Sequence, residues 1–246
     1  MIKIFRNIRR RLLAENRFSK YLFYAIGEIA LVMVGILLAL QVNNWHSKRK
    51  QASKELSYLK DIRTNLVDDI NTINRVIAFN QQKTSVTDSM FGTLEATTQP
   101  SVYMPKVLNY MFTLTGYDAF DPNRTAFNNM VASENVDLIS NMELRSKLSQ
   151  YYKKDFQSTT QESVKMRTRQ FGDYVASISF NRQSVRELVG YDSSLKDISV
   201  VTIHKDAKVY AYLFSMLMST TSQTELLHEV RAETEDLIRL IDHEIQ

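Results

Sequence analysis

Glu28 is the residue of this 246-residue chain whose setting most needs a chemical reason. It is the one charged side chain in the run from Tyr21 to Val42, YLFYAIGEIALVMVGILLALQV. An ionisable group inside a membrane span is costly and normally faces a partner or a water path. On a helix, Glu28, Leu31, Gly35, Ala39 and Val42 share one face, and Gly35 with Ala39 makes a small-xxx-small pair that admits a second helix closely. Three roles suit such a carboxylate. It can be hydrogen-bonded within a helix–helix interface, or it can take up and release protons for an energised membrane complex. It can also lie about 10 Å from the cytoplasmic end of the span, near enough to reach water, Arg17 or Lys20.

The other chemistry-bearing residues point to little chemistry. The chain has no cysteine, which removes thiol catalysis and cysteine-based metal sites, and it has no H-E-x-x-H, G-x-S-x-G or phosphate-binding glycine loop. His46, His204, His228 and His243 are isolated, and the last two lie about 20 Å apart on one straight helix. Asp118, Asp121 and Asn123 lack the spacing of a calcium loop and suit capping and turn formation. Glu225, Glu229 and Glu233 form an i,i+4 acidic stripe that reads as a solvated face, with a surface for a basic partner as the alternative. Asp88-Ser89-Met90 resembles a short acceptor motif for periplasmic O-glycosylation, with Ser89 as the acceptor. No catalytic residue, metal or cofactor is expected.

The apolar run matches a helix crossing a hydrocarbon core of roughly 30 Å. It is longer than a signal-peptide core and no good cleavage site follows, so an uncleaved anchor is expected. Tyr21 and Tyr24 on one side and Trp45 on the other are placed as interfacial anchors. Seven Lys/Arg precede the span and four follow it closely, favouring a cytoplasmic N-terminus and an exported C-terminal domain. Residues 1–20 read as a basic amphipathic segment, with Ile2, Phe5, Ile8 and Leu12 on one stripe. Arg6, Arg9, Arg10 and Arg11 would meet lipid headgroups. The net charge of +4 conceals this asymmetry: residues 1–50 hold ten Lys/Arg against two Asp/Glu. The basicity belongs to the membrane-proximal segment, so no nucleic-acid partner is expected.

The organisation expected is a segment 1–20, a transmembrane helix 21–43 and a helical domain 44–246. Beyond the span glycine and proline are scarce, which argues for long helices and an all-α fold. Leu59, Leu66, Ile70, Ile73 and Ile77 predict a seam on a helix continuing from the span to about residue 90, with Arg63 at one seam position and Ile62 and Val67 beside it. Residues 92–121 read as a loop with a short helix near Val107–Leu114. Asp121-Pro122 reads as a helix start, and Ser140/Glu143 as a capping box for a helix running to about Ile178. A shorter helix is expected around Val185–Val189, and another over Lys205–Met218. Ser222/Glu225 would then open a last helix with Leu227, Val230, Thr234, Leu237 and Ile241 on its seam. The first and last helices would pack antiparallel. Ile198–Ile203 has the composition of a strand.

YAIGEIALVMVGILLALQVNNW (24–45) and FDPNRTAFNNMVASENVDLISNMELRSKLSQYY (120–152) resemble an uncharacterised family of single-span, inner-membrane-anchored helical proteins of Bacteroidetes. The resemblance implies an N-terminal anchor and a helical exported domain at a Gram-negative inner membrane, and it carries no catalytic role. It directs attention to Gly27, Glu28, Gly35, Asn44 and Trp45, and to Asn123, Arg124, Thr125, Tyr151 and Tyr152 as a partner surface. Arg124 and Thr125 at a helix start could meet a partner carboxylate or brace their own loop. The function expected is a non-enzymatic, membrane-anchored periplasmic scaffold or accessory subunit, working with the bilayer and with other membrane proteins or copies of itself. The alternatives are a proton-coupled subunit using Glu28 and a periplasmic sensor of a small ligand.

Overall fold

The computed structural model describes residues 18–96, 100–179, 182, 186, 190–192, 194 and 203–246, without the side chains of 18–21, 24, 100–104, 159 and 179. The described residues are helical and contain no strand. The helices are α1 (Phe18–Ala96), α2 (Pro100–Leu114), α3 (Thr125–Ala132), α4 (Met142–Lys153), α5 (Glu162–Ser179) and α6 (Ala207–Glu244). Short turns cover Val136–Leu138 and Ile203–Lys205, and Gln157–Gln161 is π-helical. Two compact units divide the chain, Met1–Leu56 and Ser57–Gln246.

In the first unit α1 is apolar and long enough to cross a membrane, and no residue of its most apolar window is buried. Phe23, Leu31, Ile36, Leu37 and Val42 are exposed. Nothing lies within 4 Å of a side-chain carbon built on Gly27 or Gly35.

In the second unit α1 and α6 run antiparallel. Arg63 donates to Asp242 at 2.5 and 3.2 Å, Arg231 to Asn74 at 3.3 Å, and Asn80 to Gln223 at 3.0 Å. Both helices keep a strict 3-4 repeat. On α1 the buried seam positions are Leu59, Ile62, Leu66, Asp69, Ile73, Val76, Asn80, Lys83, Thr87, Met90 and Leu94, with Ile77 buried beside them. On α6 they are Val209, Leu213, Met216, Thr220, Gln223, Leu227, Val230, Thr234, Leu237 and Ile241, with Ser219 buried beside them. Such a repeat keeps one seam facing a partner helix along its whole length. The α1 seam differs from the expected one. It passes through Asp69 rather than Ile70, which is half-buried, and Val67 is exposed. Following apolar residue types alone drifts off the repeat where polar residues occupy it.

Helix α5 packs along α6, also antiparallel, with Gln161 near Gln223 and Tyr174 bonded to Asp206. Helix α4 packs on α6 nearer its C-terminus, where Asn141 reaches Glu244 at 2.7 Å and Lys147 reaches Asp236 at 3.0 Å. Two apolar clusters result. One gathers Leu59–Ile77, Phe120–Phe156 and Leu227–Ile241; the other gathers Met90, Leu94, Leu114, Phe171 and Ile203–Met216.

Several local expectations are corrected. Pro100–Leu114 is helical throughout, with Pro105 inside, where its ring removes one backbone donor. Asp121 caps no helix: α3 begins at Thr125, and Asp121 instead accepts from Arg124 at 2.6 Å. Asn141, not Ser140, caps α4, its side chain accepting from the Leu144 N–H at 3.0 Å. The expected helix to Ile178 breaks at Lys154, whose backbone is extended. There Asp155 accepts from the Gln157 and Ser158 N–H groups and restarts the chain as a helix. Those bonds and the Ser158 hydroxyl hold the Asp155 carboxyl below its usual range. Ser222 and Glu225 lie within α6, which runs unbroken from its cap at Asp206 because no glycine or proline interrupts it. Of the helix expected around Val185–Val189 only Arg186 is described, and it is helical; of Ile198–Ile203 only Ile203 is described, in a 3-10 turn.

Candidate functional site

Between the two apolar clusters the seams turn polar. Asn80, Lys83 and Thr87 on α1, Gln161 at the end of the π-helical turn, Thr168 on α5, and Thr220 and Gln223 on α6 are all buried, with Asn80 bonded to Gln223 and Lys83 to Thr168 across the helices. The Lys83 ammonium is 1% exposed and donates to the Gly116 carbonyl and the Thr168 hydroxyl, each at 2.6 Å. No carboxylate pairs with it among the described residues. Burial in this setting lowers its pKa to about 7, because the neutral amine loses less hydration than the ammonium. Gln161 closes the layer on the loop side: it accepts from the Phe120 N–H at 2.6 Å and donates to the Phe120 carbonyl at 2.7 Å. Gln223 donates to the Asp118 carbonyl at 3.2 Å. The carbonyl oxygen of Asn80 and the hydroxyl of Thr220 are buried without a hydrogen-bond partner.

A second buried polar group lies in the first cluster. Asp69, 2% exposed, accepts from the Asn123 N–H at 2.8 Å and from the Tyr151 hydroxyl at 3.2 Å. Asn65 donates to the Asn123 carbonyl, so α1 holds the loop before α3 from two positions. Burial pushes the Asp69 carboxyl up to about 6, against the pull of those two bonds. The Thr234 hydroxyl lies 3.2 Å from the Tyr151 oxygen. Burial, aided by the Asp69 charge, pushes both Tyr151 and Tyr152 upward.

The structure gathers Asn123, Arg124, Thr125, Tyr151 and Tyr152 in one place, and it uses them to brace the fold. Arg124 donates to the Tyr152 carbonyl at 3.3 Å, the Lys154 carbonyl at 3.1 Å and Asp121. It thereby satisfies carbonyls left open at the end of α4. The Asn123 side chain accepts from the Thr125 N–H. Tyr151 is fully buried, and Tyr152 stacks on Phe127 at 4.7 Å. Of the five, only Asn123, Arg124 and Thr125 reach solvent.

Glu28 sits half-buried on the apolar stretch of α1, beside a shallow groove with Ala25, Ile29, Val32 and Met33. Leu31, Gly35 and Ala39 are exposed there. Trp45 is exposed, with the Arg49 guanidinium 5.7 Å above its ring. The side chains of Tyr21 and Tyr24, and Arg6, Arg9, Arg10 and Arg11, lie outside the described residues. Ser89 is exposed in mid-helix and donates to the Ser85 carbonyl at 2.9 Å. Among the described residues no group of His, Asp and Glu is placed to hold a metal ion.

Sequence reasoning missed Asp69, Asn80, Lys83, Gln161, Thr168 and Gln223. A signal existed for those on α1: continuing the spacing of Leu59, Ile62 and Leu66 lands on 69, 80, 83 and 87.

A model of a family of unknown function, DUF6090, matches residues 28–167, more than half of the chain. The protein belongs to that family. The DUF6090 match takes in Glu28, Gly35, Asp69, Lys83, the braced segment 120–154 and Gln161, while Thr168 and α6 lie beyond it. No curated protein and no solved structure matches the chain.

Proposed function

We propose that this DUF6090 protein is a non-enzymatic scaffold or accessory subunit, anchored by one span in a Gram-negative inner membrane. Its N-terminus would be cytoplasmic and its helical domain periplasmic. It joins other membrane proteins, or copies of itself, through helix–helix contacts in the span. The observation that carries this reading is Glu28 on an apolar helix face with Gly35 and Ala39 exposed and open space over Gly35. A glycine surface lets two backbones approach closely, and a carboxylate beside it gains from a hydrogen-bond donor on the neighbouring helix. The orientation rests on the excess of basic residues before the span.

The same carboxylate favours a second reading, in which Glu28 carries protons within an energised complex. One experiment tests both. Tagged protein is extracted gently from its native membrane, its particle mass is measured, and co-purifying proteins are identified, for the natural sequence and for Glu28→Gln. The scaffold reading expects a defined assembly that Gly35→Leu disperses. An assembly intact in Glu28→Gln but devoid of its activity selects proton coupling. A monomer with no partner in both forms refutes the two readings together.

A further inference from the structure

A groove of about 290 Å³ runs between α5 and α6, lined by Thr160, Ser163, Arg167, Ser215, Met218, Ser219 and Ser222. We propose that it binds a tetrahedral oxyanion, phosphate or sulfate, either free or as the ester of a small polar molecule. Arg167 is the anchor. It is half-buried and donates to Gln170 at 3.2 Å, and it makes no ion pair among the described residues, unlike Arg63, Arg75, Arg124, Arg145 or Arg231. A guanidinium with spare planar donors matches the geometry of phosphate and sulfate oxygens.

The hydroxyls add donors of the right kind. A helical serine or threonine usually spends its proton on a carbonyl one turn back, as Ser219 does on Met216 and Thr224 on Thr220. Thr160, Ser163, Ser215 and Ser222 make no such bond among the described residues. The Thr160 hydroxyl is buried with no partner at all. It is presented by the π-helical turn Gln157–Gln161, a local distortion that recurs at functional sites.

The depth of the bundle behind the groove is polar too. Thr160, Arg167, Ser219 and Ser222 each adjoin in sequence a member of the buried polar layer, respectively Gln161, Thr168, Thr220 and Gln223. Thr168 holds the Lys83 nitrogen at 2.6 Å. Two basic groups without a carboxylate partner among the described residues, Arg167 and Lys83, therefore stand at this level of the bundle, and no carboxylate lines the groove. The contrast with a second groove, between α1 and α6, is direct. That one, about 360 Å³, is lined by Asp88 and Glu225 with Gln81, Thr84, Ser85, Thr221 and Thr224, and it has the opposite charge.

The test uses the full chain in detergent micelles, with helix melting followed by circular dichroism and heats of binding by calorimetry. Inorganic phosphate, sulfate and glucose 6-phosphate are titrated against chloride at equal ionic strength. At ten times the Kd, saturable binding raises the melting midpoint by about 3–6 °C. Arg167→Gln is expected to weaken binding at least tenfold, and Thr160→Val or Ser163→Ala to weaken it less. Those two variants keep the test open if Arg167→Gln fails to fold. Equal affinity for phosphate and the sugar ester assigns the site to the free anion, and tenfold tighter binding of the ester assigns it to the ester. The proposal is overturned if no anion shifts the midpoint beyond chloride, or if the shift survives unchanged in folded Arg167→Gln.

Discussion

Replacing Lys83 by methionine should remove a pH dependence that the structure builds into this bundle. The side chain is 1% exposed, its nitrogen has two neutral acceptors, and its pKa falls from 10.5 to about 7 on folding. Between those values the unfolded chain holds a proton there that the folded chain does not, so stability rises with pH. From pH 7 to pH 9 the gain is about 2 kcal/mol, set by 1.36 kcal/mol per unit and partial titration at the lower end. For a domain of this size that is about 4–8 °C in melting midpoint. Lys83→Met has no proton to release. It also leaves the Gly116 carbonyl and the Thr168 hydroxyl without a donor, at about 1 kcal/mol each, a loss that does not vary with pH. The assay is thermal or urea unfolding of both full chains in detergent at pH 7, 8 and 9. The stability difference, natural minus variant, should grow by about 2 kcal/mol across the series. Parallel curves would refute the reasoning and show the ammonium to be hydrated or paired in solution.

Asp69 titrates with the opposite sign. Its folded pKa of about 6 lies above the ordinary 3.8, so stability falls as pH rises from about 4 to about 6, by up to about 3 kcal/mol. Asp69→Asn should flatten that limb, which unfolding at pH 4.5 and 6.5 would show; an unchanged slope would assign it to other groups. Arg124→Ala strips donors from the Tyr152 and Lys154 carbonyls and from Asp121, and should cost about 2 kcal/mol without changing the assembly formed in the membrane. A stable variant that no longer assembles would instead make Arg124 part of a partner surface.

The structure also shows why helices were legible and the polar layer was not. Scarce glycine and proline and the 3-4 spacing of Leu227, Val230, Thr234, Leu237 and Ile241 are local signals, and α6 forms where they lie. Helix boundaries failed where the deciding bond was short-range yet ambiguous. Asn141 and Ser140 both offer a capping oxygen, and the backbone selects Asn141. Ser222 and Glu225 match a capping box, yet capping matters only where a helix has open N–H groups, and here the chain is already helical.

The chain's own residue order determined an apolar stretch able to cross a membrane and an all-helical domain, because periodicity and breaker content act within a few residues; it left open whether the first and last helices pair with each other. Tertiary structure alone decided what the polar residues do. Lys83 acquires its partners from residues 116 and 168, Asp69 from 123 and 151, and Arg124 from the end of α4. A buried charge is defined by what surrounds it, and those surroundings come from segments far away in the chain.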